Sequence, residues 1–154
     1  AYYGLNSEKH CQMLGPNQFE HVKVVNAYIW PRHATDQLPV FGLAKSQIHN
    51  PRNVLRLQKC LERAFDHKEI TFVQGDTAKE FKLKVLNKNL KDTVLKGTQI
   101  TFASLDGRPL QMNQEEHRSY TRLLAHHALL GFRKAREQNW LEESDDLSHE
   151  EVQA

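Results

Sequence analysis

Apolar and polar positions along this chain change period several times, and each change marks an element. Val22, Val24, Ala27 and Ile29 lie in a β-branched stretch over residues 21–30 that Pro31 stops, which predicts a strand. Residues 32–52 carry Pro39, Gly42 and Pro51 with little periodicity and read as a long loop, a length at which loops are often functional. Val54, Leu55 and Leu57 make a short second strand, and over residues 58–67 the spacing turns helical, with Leu61, Ala64 and Phe65 inward. Strands are expected at residues 69–73, 81–86 and 98–103, separated by Gly75-Asp76, by residues 87–89 and by Asp106-Gly107. The last element reads as a helix over residues 113–140, because Tyr120, Leu123, Leu124, His127, Ala128 and Gly131 recur at three and four residues. That stripe is read as core. The pattern predicts an α+β fold: a small strand–strand–helix core with additional antiparallel strands and a long C-terminal helix.

The chain has 154 residues, which fits one domain, and no internal repeat divides it. Residues 9–140 read as that domain and residues 141–154 as a disordered acidic tail. Hydrophobic residues make up 39% and charged residues 26%, as a soluble core with a solvated surface requires. No apolar run is long enough to span a bilayer, and no basic segment followed by an apolar one opens the chain. A transmembrane protein and an uncleaved secretory precursor are therefore not expected. The start at Ala1 rather than Met is what a processed product or an excised domain would show, so localisation signals can lie outside it.

Charge adds a partner class. Residues 141–154 hold six acids and no Lys or Arg, which leaves 21 basic against 13 acidic groups in the first 140 residues, a net of +8 under an overall +2. A body that basic suits a polyanion such as nucleic acid, with ordinary solubility charge as the alternative; the tail would then be a solvated end or a competitor for the basic face. Two cysteines, Cys11 and Cys60, are too few for a disulfide framework and lack zinc-site spacing, so a reducing intracellular compartment is expected, one disulfide and secretion of a longer precursor being left open.

Candidate chemistry follows the order strand, long loop, Asn53, short strand, helix. A β-hairpin packed on a helix can hold one divalent cation, with a base on the strand aimed at a water. Five segments fit that arrangement: Cys11-Gln12-Met13-Leu14-Gly15, Asn26-Ala27-Tyr28-Ile29-Trp30-Pro31, Asn50-Pro51-Arg52-Asn53-Val54-Leu55-Arg56-Leu57, Cys60-Leu61-Glu62-Arg63-Ala64-Phe65-Asp66 and Ile70-Thr71-Phe72. Together they resemble the HNH (ββα-metal, His-Me finger) nucleases, in the variant that ends in a helical cap, over about residues 11–130. The resemblance implies a strand histidine as general base where this chain has Tyr28, and a helix histidine as metal ligand where it has Glu62; the family's middle asparagine is retained as Asn53, whose expected role is to fix the loop. A phenol titrates near pH ~10 and is a poor base at neutrality, whereas a carboxylate can ligate Mg²⁺ or Mn²⁺. A rebuilt site would use His33 or His49 as base, with Glu62 and Asp66 around one divalent metal, Asp66 having a backbone-bracing role as its alternative.

Arg32, Arg52, Arg56, Lys59 and Arg63 cluster around the predicted hairpin and helix, where a phosphate backbone would lie. Lys79, Lys82, Lys84, Lys88, Lys91 and Lys96 form a second basic stretch, which is equally a solvated sheet face. Trp30 could stack on a base or pack in the core. Adjacent helix positions diverge by about 100°, so His126 and His127 are not expected to share an ion; His127 reads as packed and His126 as exposed. Three functions are carried forward. The first is an HNH-like domain that binds nucleic acid, DNA above RNA, with degenerate or weak catalysis. The second is an active metal-dependent DNA endonuclease with a rebuilt site, and the third a protein-interaction or effector module on the same scaffold. No membrane partner is expected, and the oligomeric state is left open.

Overall fold

Gln58 is where the first hairpin becomes a helix, and its side chain explains why. It is buried, and its Oε1 accepts from the backbone N–H of Cys60 at 2.8 Å and Leu61 at 3.1 Å, satisfying two of the donors that a helix start leaves open. The computed structural model describes residues 11–15, 23–77, 80–111 and 121–141. The expected strand start at residues 21–22, Lys79, the first turns of the last helix with Tyr120, and the acidic tail beyond residue 141 lie outside them.

Strand β1 (Val24–Tyr28) pairs antiparallel with β2 (Val54–Gln58), with Tyr28 opposite Val54, Asn26 opposite Arg56 and Val24 opposite Gln58. Helix α1 (Lys59–Asp66) packs on this hairpin through Leu61, Ala64 and Phe65. It ends at Lys68, whose φ of +61° places a non-glycine residue in the left-handed region, and the amides of His67, Lys68 and Glu69 close on the carbonyls of Arg63, Phe65 and Ala64. The turn at residues 11–15 lies against β2: Gln12 exchanges bonds with Arg56, its N–H donating to the Arg56 carbonyl and its Oε1 accepting from the Arg56 N–H, while Cys11 Sγ accepts from Gln58 N. Burial pushes the Cys11 thiol pKa up, and both cysteines are free.

A second antiparallel hairpin joins β3 (Ile70–Gln74) to β4 (Phe81–Val85). Helix α3 (Thr121–Glu137) lies on β3 through the stripe that the periodicity singled out, with Leu123, Leu124, His127, Ala128 and Gly131 all buried. Gly131 is there because the helix comes too close for a side chain: a Cβ would stand 2.7 Å from the buried Leu86 Cδ1. No helix among the described residues is long and apolar enough to cross a membrane.

Two expectations are corrected. Residues 98–103 do not form a strand: a single bridge joins Thr101 to Val94, and a short helix α2 (Phe102–Leu105) follows. Thr101 Oγ1 accepts from Ser104 N, and Phe102 and Leu105, three apart, both turn inward, so a cap and helical spacing override the β-branched run. The long loop is not featureless either, since 3₁₀ turns at Arg32–Phe41, Lys45–His49 and Pro51–Asn53 fold it into short arcs.

One buried polar link from α3 to α1 and β3 is His127. Its Nε2 lies 2.8 Å from the Phe65 carbonyl, which can only accept, so Nε2 carries the proton and Nδ1 accepts from Thr71 Oγ1 at 2.7 Å. The ring stacks on Phe65 at 3.8 Å between centroids. Burial, then the charges of Lys68 and His126, pull its pKa down to about 3, against the carbonyl bond that opposes them. The unfolded chain protonates this group near pH ~6.5, so the stability of the neutral ring is complete above that pH and is lost as pH falls towards 3. Urea unfolding followed between pH 6.5 and 3 should show His127 contributing a loss of about 1.4 kcal/mol per pH unit, and His127→Gln should flatten that part of the profile. An unchanged slope in the variant would remove His127 as the cause.

Candidate functional site

Strand β1 ends by delivering Tyr28 to the mouth of the long loop, and the loop brings His49 back to it. The Tyr28 hydroxyl lies 3.5 Å from His49 Nδ1, the outer limit of a hydrogen bond, and the rings meet edge to face at 6.2 Å and 81°. His49 is exposed, at the end of its 3₁₀ turn. A histidine distant in sequence thus stands beside the strand-end phenol.

Asn53 makes this closure possible. It is 1% exposed, its Oδ1 accepts from Trp30 N at 2.8 Å, and its carboxamide N donates to the carbonyls of Ile48 at 2.8 Å and Trp30 at 3.2 Å. Its own carbonyl accepts from Ile29 N at 2.9 Å. One side chain therefore fixes the exit of β1 and the residue before His49. The loop-bracing role expected of Asn53 is what the geometry gives it.

The other expected residues are spread more widely. Glu62 is half-buried in the first turn of α1 and Asp66 is exposed at its end, four residues apart and so on one face of the helix. His33 lies elsewhere than His49: it lines a cleft with Trp30 and His126 of α3. Trp30 is buried, its Nε1 donating to Ala34 O at 2.6 Å, and the His126 ring lies against it at 5.5 Å. His126 is consequently half-buried rather than exposed, a correction that follows from the Trp30 contact; burial, then Arg133 and Lys68, lower its pKa. His127 is packed, as its spacing predicted.

Among the basic residues, Arg56 is half-buried and its guanidinium bonds Asn26 Oδ1 across the hairpin. Arg52 and Lys59 are half-buried and Arg63 is exposed, whereas the Arg32 side chain lies outside the described residues. Asn26, Lys68 and the two buried glutamines Gln12 and Gln58 are the residues that sequence reasoning missed. The pairing of Asn26 with Arg56 could have been found from hairpin register alone; the left-handed Lys68 carries no sequence signal, because that conformation usually announces itself by glycine.

Glu62 and Asp66, on one face of α1, are two carboxylates that could hold a divalent ion, and by themselves they fall short of a full ligand set. Every polar atom of the Asn53 carboxamide is turned to backbone, and no group of three or more His, Cys, Asp or Glu side chains able to hold a metal comes together among the described residues. Residues 11–73 match a family model described as HNH endonuclease. That segment, from the Cys11 turn through β3, is similar to those enzymes, which makes this stretch nuclease-like and agrees with the mixed α+β fold; α2, α3 and β4 lie beyond it. No curated protein and no solved structure matches the chain.

Replacing the Asn53 side chain by a methyl group orphans the buried Trp30 N–H and two carbonyls, so Asn53→Ala should lose about 2–4 kcal/mol in urea unfolding. Asn53→Asp should lose at least as much, because it sets a carboxylate oxygen against the Ile48 and Trp30 carbonyls. An Asp variant as stable as the parent would overturn the assignment of the carboxamide as donor.

Proposed function

We propose that this chain is an HNH-type domain that binds nucleic acid, DNA in the first place, with degenerate or weak catalysis. The observation that carries the reading is the phenol of Tyr28 at the strand end, within a segment similar to HNH endonucleases, where the resemblance implies the base histidine. The basic residues of the same segment support a phosphate-binding role, since Arg52, Arg56, Lys59 and Arg63 lie just before β2, on β2 and on α1. Contacts of that kind bind the backbone without reading sequence. The two free thiols suit an intracellular setting.

The Tyr28–His49 contact favours a second reading, an active metal-dependent endonuclease with His49 as base and Glu62, with Asp66, as ligands. In that reading Tyr28 holds the imidazole in place and His49 takes the proton from an attacking water. His33 lies in the Trp30 cleft and supports this base role less.

One experiment separates them. In gel shifts against plasmid DNA, affinity should fall with salt at a log–log slope of about −3 to −4, as for some four phosphate contacts, and the Lys59→Ala, Arg63→Ala pair should weaken it. Affinity unchanged by salt would sink the binding reading. In the same samples no nicking is expected with Mg²⁺, Mn²⁺ or chelator; metal-dependent nicking lost in Glu62→Ala and His49→Ala would put the active enzyme in its place.

A further inference from the structure

Between the 3₁₀ turn that follows β1 and the outer side of α3 lies a cleft of about 360 Å³, at the lower end of the roughly 300–1,000 Å³ usual for small-molecule sites. Its wall is apolar and aromatic, formed by Ile29, Trp30 and Leu130 with the imidazole of His126 set against the indole. Its polar lining is His33, Gln37, Lys68, His126 and His127, and no Asp or Glu lines it among the described residues.

Lys68 is held at the rim by backbone, since it is the left-handed residue that ends α1 and its N–H donates to the Phe65 carbonyl. A lysine in that conformation carries a steric cost that a glycine would not. Arg133, about two turns further along the same face of α3, is near enough for its charge to act on His126 with that of Lys68. The result is a concave aromatic surface beside the cations Lys68 and Arg133, a combination that fits a planar ring carrying an anion.

The cleft is tied to the candidate site through the backbone that Asn53 holds. Trp30 is two residues beyond Tyr28, and Asn53 holds Trp30 through both its N–H and its carbonyl while fixing the residue before His49. We infer that this cleft takes one unpaired nucleotide of a nucleic-acid strand, its base against the Trp30–His126 wall and its phosphate on Lys68. The inference rests on the nucleic-acid reading and deepens it: the domain would engage strands with a frayed, looped or displaced base, its basic hairpin following the neighbouring phosphates. Stacking of this kind tolerates any base, so the cleft would select unpaired structure rather than sequence.

The test uses the full chain carrying Trp140→Phe, so that Trp30 is the one tryptophan reporting. Titration with single-stranded octathymidylate should quench Trp30 saturably. Lys68→Gly keeps the fold, because its backbone conformation suits glycine, and should weaken that response by about tenfold, the scale of one charged hydrogen bond. His126→Leu should weaken it as well. A silent Trp30, an unchanged midpoint in Lys68→Gly, or an equal response to inorganic phosphate alone would overturn the inference. A blunt-ended duplex is titrated in parallel by gel shift: if it binds while Trp30 stays silent, only the cleft inference fails, and if neither probe binds, the nucleic-acid reading fails with it.

Discussion

The carboxamide of Asn53 closes a loop of more than twenty residues by donating to the carbonyls of Ile48 and Trp30 and accepting from the Trp30 amide, all at a site that water does not reach. Buried backbone groups left unpaired are costly, so a loop this long can cross a small domain only if something inside satisfies them. The bonds made by Asn53 set where β1 stops and where the chain must return. The meeting of Tyr28 with His49 and the placing of Trp30 in the cleft wall are both consequences of that one constraint.

A second buried polar group does the same for the other half of the molecule. His127 on α3 reaches the carbonyl of Phe65 near the end of α1 and the hydroxyl of Thr71 on β3, so one imidazole ties a helix distant in sequence to two consecutive elements. The apolar stripe of α3 would hold the helix on the sheet without it, but apolar contact is indifferent to small rotations and a fully paired imidazole is not. Its stacking on Phe65 and the close approach at Gly131 fix the remaining freedom. The face of α3 that bears His126 is thereby turned towards Trp30, which is how the cleft acquires its aromatic wall.

Charge and chemistry are distributed unevenly over this frame. The hairpin and α1 carry arginines and lysines, and part of that charge is occupied in structure, as the Arg56–Asn26 bond shows. That bond does not exhaust the Arg56 guanidinium, which carries several donors. At the end of β1 a phenol stands with an imidazole beside it, and that contact is where the degenerate and the rebuilt readings differ.

The order of elements through α1 and β3 was legible in the sequence, because strand alternation and helical spacing are local and the HNH-like segments keep their order from Cys11 to Phe72. So was the role of Asn53, and the inward turn of His127 followed from its place in the stripe. The strand expected at residues 98–103 was not correctly read, since Thr101 as a cap and the three-residue spacing of Phe102 and Leu105 compete with β-branching over too few residues for either to dominate. Which histidine would face Tyr28 could not be read at all. His33 and His49 sit in the same loop with similar neighbours, and only the path imposed by Asn53 sends one to Tyr28 and the other to Trp30. Local sequence determines which elements form and which faces they bury; the juxtaposition of side chains twenty or a hundred residues apart is decided by the closed set of buried hydrogen bonds, which exists only once the chain has folded.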